Sequence, residues 1–275
     1  METITVYSLV LEIFYALLDP IFFVYQTLEE SINTSAPMGI LLLGVITGLR
    51  HAIEADHIAA VSMLIASDEK KKLRRAPVLG ALWGLGHTAS LFAAGLIVLI
   101  LAINIPEKVS NTLEFGVGVM LVYLAITTLT GFNIGKFVKG LLHHDKIHSH
   151  PHSHKKYDII HTHEHNHYHY EKEHQHGHKA LLVGMIHGLA GSGALMLIVL
   201  STIDSVPFGL AYITIFGAGS ILGMMALSTI VGLPFAKAKR SAKLNFVLKY
   251  AAGVTTLMIG GWLMYELGVV EQIFL

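Results

Sequence analysis

The chain of 275 residues is 53% hydrophobic and only 14% charged, with 19 basic residues balancing 19 acidic ones. Soluble domains average about a quarter charged residues, so this composition excludes an ordinary soluble protein and indicates a polytopic membrane protein. The balanced charge gives no sign of a nucleic-acid partner. The sequence contains no cysteine, which excludes disulfides and thiolate ligands, so a metal ion would have to be held by nitrogen and oxygen.

The apolar stretches predict the transmembrane helices. An N-terminal segment, 1–36, contains a hydrophobic run at 6–28 that Glu12 and Asp19 interrupt, so it either spans the membrane or lies along its surface. A helix crosses the bilayer core with about 20 apolar residues. We therefore expect an all-α polytopic membrane protein with six core transmembrane helices besides this uncertain N-terminal helix. The six windows are 38–66, 78–103, 113–135, 179–203, 208–233 and 246–268.

The first of these windows carries ionisable residues in its middle. Such groups cost roughly 2.5–3.5 kcal/mol each at mid-membrane, so a cluster of them predicts a polar cavity, mutual pairing or a bound cation. Imidazoles and carboxylates suit divalent ions, and one ion would compensate two carboxylates. The residues concerned are Arg50, His51, Glu54, Asp56 and His57.

Helical geometry leaves two interpretations of this cluster open. On a regular helix, at about 100° per residue, His51, Glu54 and His57 share one arc and Asp56 falls outside it. Either Asp56 pairs elsewhere, for instance with a neighbouring helix, or the helix unwinds near Ala55 so that the carboxylate joins the other groups.

An internal repeat is indicated by three short marks that recur with offsets of 136, 133 and 135 residues. Each unit has three helices, so the second enters the membrane from the opposite side, as in transporters whose sites lie near the midplane between two inverted halves. We expect a 3+3 inverted repeat, with the first repeat and its metal motif at 37–135, a histidine-rich loop at 136–178 and the second repeat at 179–275. The marks pair Gly48–His51 with Gly184–His187, Gly84–His87 with Gly217–Ser220, and Gly118-Val119 with Gly253-Val254.

The histidines outside the loop all fall in predicted helices. Of 18 histidines, fourteen lie between His143 and His178. The remaining four join the two carboxylates as candidate metal ligands, although His187, considered alone, fits a packed histidine satisfying a backbone carbonyl equally well. The candidate metal residues are His51, Glu54, Asp56, His57, His87 and His187.

Two of these motifs resemble a known family. The segment His51–Ile58, HAIEADHI, resembles the H-x4-D-H signature of the nickel/cobalt transporter (NicO-type) family, and Leu85–Thr88 resembles its second, LGH-type motif. The segment His187–Leu195, HGLAGSGAL, resembles the short urease-associated members, and the similarity covers roughly residues 38–270. The resemblance implies a nickel or cobalt permease whose metal-selecting residues are His51, Asp56, His57 and His87.

The loop and its flanks indicate a second metal-binding feature and an orientation. Histidines alternate with other residues at His148–His154 and again at His161–His169. Such a polar segment should be disordered when metal-free, and its imidazoles should chelate divalent transition metals. Basic residues cluster at 70–75, 136–179 and 237–249, which places these regions in the cytoplasm and the C-terminus outside by the positive-inside rule.

These observations favour a secondary transporter of Ni²⁺ or Co²⁺ in the cytoplasmic membrane. The sequence has no P-loop for ATP-driven pumping, and we expect no enzyme activity and no permanent cofactor, the metal being the transported substrate. Uptake is favoured by the family resemblance; alternatives are an exporter of the same superfamily, a membrane metalloenzyme or a metal-buffering protein. The expected partners are the divalent ion, the lipid bilayer and cytosolic metallochaperones or urease or hydrogenase maturation proteins.

Overall fold

A computed structural model describes residues 37–68, 73–101, 106–131, 148–153, 160–165, 172–190 and 205–274, together with scattered positions between 12 and 27. Helices dominate these residues. The helices are α1 (Pro37–His51), α2 (Ala55–Ala66), α3 (Ala76–Leu101, after a 3₁₀ turn at Leu73–Arg75), α4 (Glu107–Thr130), α5 (Lys172–Ala190), α6 (Val206–Ala238) and α7 (Ala242–Tyr265, continued by a π turn at Glu266–Val270).

The first predicted span is a broken helix. Helices α1 and α2 meet at an angle of 56°. Between them Ile53 N–H donates to the Arg50 carbonyl at 3.0 Å and Glu54 N–H donates to the His51 carbonyl at 3.2 Å, which closes a tight turn, and Glu54 then adopts an extended backbone. Irregular backbone at membrane depth is tolerated where it faces protein or lines a cavity. The break therefore marks a place where the chain meets other polar groups.

The spans of the described part agree with a multi-pass, all-α membrane protein. Helices α3, α4, α6 and α7 are each long and apolar enough to cross a bilayer, and the bent pair α1–α2 makes a fifth span if it is counted as one. The window predicted at 179–203 begins in α5, but residues 191–204 lie outside the described residues. The predicted count of six therefore stays a prediction.

The helix interfaces are related by exchange of the two repeats. The repeat offsets match α1 with α5, α3 with α6, and α4 with α7. The most extensive contacts join α3 to α6, α3 to α5, α1 to α6 and α4 to α7. If each helix is replaced by its counterpart in the other repeat, the α3–α5 contact becomes the α6–α1 contact. The α3–α6 and α4–α7 contacts are each replaced by themselves. The packing thus has the two-fold pattern of a repeat.

Close contacts of glycines show the same correspondence between the two repeats. Gly48 on α1 is so close to α6 that an added Cβ would overlap the Phe216 carbonyl oxygen, and its counterpart Gly184 on α5 would meet the Trp83 carbonyl oxygen of α3 in the same way. Phe216 follows Trp83 by 133 residues, the offset of that helix pair. Small residues let helix backbones approach closely in a membrane. A second pair of corresponding contacts places Gly86 against the Leu181 carbonyl oxygen and Gly219 against the Val45 carbonyl oxygen.

Part of the histidine-rich loop forms a two-stranded ribbon, and the disorder expected of the metal-free loop stays a prediction. Strands β1 (His148–Ser153) and β2 (Ile160–His165) pair in antiparallel fashion, with His148 opposite His165 and His152 opposite His161. Alternating residues suit a two-stranded ribbon because the strand repeat is two residues. Residues 172–178, which the sequence assigned to the loop, form the start of α5. The other loop residues, the domain boundary at residue 36 and most of the 6–28 segment lie outside the described residues.

Candidate metal centre

The helix break brings four predicted residues to one place. His51 is the last residue of α1, Glu54 precedes α2, and Asp56 and His57 lie in the first turn of α2. Asp56 Oδ1 accepts a hydrogen bond from the His57 backbone N–H at 2.7 Å. A carboxylate is favourable at a helix N-terminus because the first N–H groups there have no partners within the helix. The structure combines the two interpretations left open by the sequence: the helix is unwound and Asp56 lies within the cluster, and Asp56 also pairs with His187 of the neighbouring helix α5.

Four buried imidazoles converge at this break. His57, His87 and His187 have no exposed surface, and His51 is 5% exposed. The ring centroid of His57 lies 4.3 Å from that of His51 and 4.2 Å from that of His187, and the His87 centroid lies 5.1 Å from that of His51. These are all the histidines outside the loop, and they come from α1, α2, α3 and α5.

Asp56 connects the two repeats. Its Oδ1 lies 2.8 Å from His57 Nδ1, and its Oδ2 lies 2.8 Å from His187 Nε2 on α5. Each ring nitrogen facing the carboxylate is expected to carry the proton and donate it, so the other nitrogen is the one with a lone pair. Asp56 thereby fixes both rings and both tautomers, as carboxylates commonly do for metal-binding histidines.

Glu54 plays a similar part for His51. Its Oε2 lies 3.0 Å from His51 Nδ1. The Glu54 side chain is 39% exposed and that of Asp56 22%, whereas the imidazoles are almost fully buried. The two carboxylates therefore lie on the open side of the cluster and the imidazoles on its closed side.

Three buried ring nitrogens are available to bind a metal ion. Within the described part of the chain, His51 Nε2, His57 Nε2 and His187 Nδ1 are buried with no hydrogen-bond partner. Buried polar atoms are nearly always satisfied, so each exception calls for an explanation. A divalent cation supplies one, because it binds the lone pair of a neutral imidazole.

Two groups of three have the spacing of a metal site. One ligand atom from each of His51, His57 and His87 lies within 4.8 Å of the others, and the same is true of Asp56, His57 and His187. Ligands around one ion stand roughly 3–3.5 Å apart, given bonds of about 2.0–2.2 Å. Side-chain movements of about 1 Å would bring the ligand atoms of either group to the distances required around one ion.

Two residues near the cluster were missed from the sequence. Trp83, one turn before His87 on α3, is fully buried, and its ring centroid lies 5.3 Å from that of His57, so it forms an apolar wall against the site. Glu114 on α4 lies within electrostatic range of Glu54 and Asp56. The available signal for Glu114 was an acidic residue inside the predicted span 113–135.

A multi-pass helical bundle with a buried cluster of histidines and carboxylates is the arrangement expected of a membrane protein that handles metal ions. The chain is 36% identical over 239 residues to the urease accessory protein UreH of Bacillus sp. (strain TB-90), covering 86% of this chain and 95% of that protein. It is 28% identical over 102 residues to a high-affinity nickel transport protein of Cupriavidus necator, covering 35% of this chain and 28% of that protein. The chain belongs to the nickel/cobalt transporter (NicO-type) family, with the short urease-associated members.

The other comparisons gave no match. No family model matches the chain, and no solved structure matches it. The two relatives are named for accessory and transport roles, in agreement with the expectation that the chain is not an enzyme.

Proposed function

We propose that this protein is a secondary transporter that carries Ni²⁺ or Co²⁺ into the cell across the cytoplasmic membrane. The observation that carries the proposal is the convergence of Asp56 with His57 from one repeat and His187 from the other, both at 2.8 Å. Ligands at the junction of two inverted repeats are exposed alternately to the two sides when the repeats move against each other. The names of the two relatives, one a nickel transport protein, support the same substrate.

The proposed ligands together replace the hydration shell of the transported metal ion. His51, His57, His87 and His187 supply nitrogen, and Asp56 supplies oxygen and compensates one of the two positive charges. Glu54, the most exposed of the six groups, attracts the ion at the opening and orients His51. This mixed nitrogen and oxygen set suits Ni²⁺ and Co²⁺.

In the proposed orientation, the histidine-rich loop faces the cytosol and the C-terminus lies outside, following the three basic regions. The loop then meets metal after its passage. Cytosolic metallochaperones or proteins of urease or hydrogenase maturation are the proposed recipients.

The proposal is tested by accumulation of radioactive ⁶³Ni in cells that express the protein and in cells that lack it. Uptake predicts a higher cell content of ⁶³Ni with the protein present. A lower content would indicate the exporter instead, and an unchanged content with protein verified in the membrane would contradict transport.

Metal selectivity gives a further prediction. Unlabelled Co²⁺ should compete with ⁶³Ni²⁺, whereas Cu⁺ and Mg²⁺ should compete poorly. The site offers no sulfur for Cu⁺, and Mg²⁺ prefers an octahedral shell of oxygen ligands. Competition at equal concentrations measures this, and efficient competition by Mg²⁺ would mean that the carboxylates act without the imidazoles.

Deletion of the loop between His143 and His178 should leave the maximal rate of transport largely intact and reduce uptake at low metal concentration or low pH. A hydrophilic segment can raise the local metal concentration, and protonation of its imidazoles weakens that effect, but it cannot provide a path through hydrocarbon. Rates of ⁶³Ni uptake over a range of metal concentrations separate the two effects. Complete loss of uptake by a membrane-inserted deletion variant would show that the loop is part of the path.

A further inference from the structure

The two groups of three ligands overlap in one residue. His57 belongs both to the group with His51 and His87 and to the group with Asp56 and His187. Its ring lies between those of His51 and His187, at centroid distances of 4.3 and 4.2 Å. The ligands therefore form a row with His57 at its centre.

His57 can serve only one ion at a time. A neutral imidazole has one nitrogen with a lone pair and one that carries a proton. In His57 the Nδ1 atom is held by Asp56 at 2.8 Å, and Nε2 is buried without a hydrogen-bond partner among the described residues. The two groups are therefore alternative positions for a single ion and not a site for two ions.

The two positions differ in their relation to the repeats. His51, His57 and His87 lie on α1, α2 and α3, so this group includes no residue of α5. The other group needs His187 of α5, which belongs to the second repeat. A relative shift of about 1 Å between α2 and α5 takes the 2.8 Å contact between Asp56 and His187 beyond hydrogen-bonding distance.

We propose that these two groups are consecutive positions of one ion, an inference that rests on the transport function proposed above. The three-imidazole position binds the ion, and the position completed by His187 takes it over when α5 lies close to α2. Transport needs sites that hold an ion and also release it, which a second position beside the first provides. His187 thus governs the rate of passage, while His51 governs binding.

The test compares binding and transport in the same variants of the full chain. Every variant carries asparagine in place of the loop histidines that precede His178, so that binding reports on the membrane site. Titration calorimetry with NiCl₂ measures the dissociation constant in detergent, and ⁶³Ni uptake into proteoliposomes measures the rate. His178→Gln is the matched control, because His178 is an exposed histidine on the same helix as His187, and with the other loop histidines replaced it has no loop imidazole left with which to chelate a metal ion.

We expect His187→Gln to bind Ni²⁺ within about threefold of its parent while transport falls by about tenfold or more, and His51→Gln to weaken binding by about tenfold or more. His178→Gln should change neither quantity. His187→Ala, which removes the hydrogen bond to Asp56 without a polar replacement, should behave like His187→Gln.

Two results would overturn the inference. Equal loss of binding in His187→Gln and His51→Gln would mean one site built from all the ligands, and unchanged transport in both His187 variants would make His187 a packed histidine. Failure of the proposed function looks different, because the unsubstituted protein would then transport no ⁶³Ni into proteoliposomes.

Discussion

His57→Ala should abolish nickel transport, with a loss of about 100-fold or more. Loss of groups that only orient a metal ligand typically costs 10–100-fold, and His57 is itself placed as a ligand in both groups of three. His51→Ala should have the next largest effect. Uptake of ⁶³Ni, normalised to the amount of protein in the membrane, measures both.

The control for this result is insertion and folding of the variant. His57 is fully buried, so His57→Gln, which retains more of the side-chain volume and a polar group, accompanies His57→Ala. Both variants should elute from size-exclusion chromatography as the unsubstituted protein does. Normal metal flux in a well-expressed double variant of His51 and His57 would refute the assignment of the site.

Gly184→Ala and Gly48→Ala should each destabilise the bundle by about 1–3 kcal/mol, toward the upper end of that range. At both positions an added Cβ would overlap a backbone carbonyl oxygen, that of Trp83 for Gly184 and that of Phe216 for Gly48. Backbone of a packed helix cannot move aside as a flexible side chain can. Because the two contacts are equivalent under exchange of the repeats, the two losses should be similar, and thermal unfolding in detergent measures them.

The chain offers matched controls for this prediction. A Cβ added at Gly116 on α4 or Gly261 on α7 would meet no atom within 4 Å. Gly116→Ala and Gly261→Ala should therefore leave the unfolding temperature unchanged or raise it slightly, because alanine is the better helix former. A Gly184→Ala variant as stable as Gly261→Ala would contradict the close α3–α5 packing.

The sequence by itself determined the class of the protein, because membrane insertion depends on local apolar length. It also identified the ligand candidates, since ionisable groups in hydrocarbon require a reason, and it predicted a repeat from motifs that include Gly48 and Gly184. Each of these glycines lies where two helix backbones pack closely, in contacts that correspond when the repeats are exchanged. Close helix packing therefore explains why glycine occupies both positions.

Only the tertiary structure decided how the candidates meet. On a regular helix Asp56 would lie on a different face from His51 and His57. The sequence of residues 52–54 contains no feature that predicts a helix break there. The position of Asp56 is stabilised by His187, a residue 131 positions away, and by the unpaired N–H groups at the start of α2. Such long-range contacts come from the packing of the second repeat against the first, which the local pattern of either repeat does not contain.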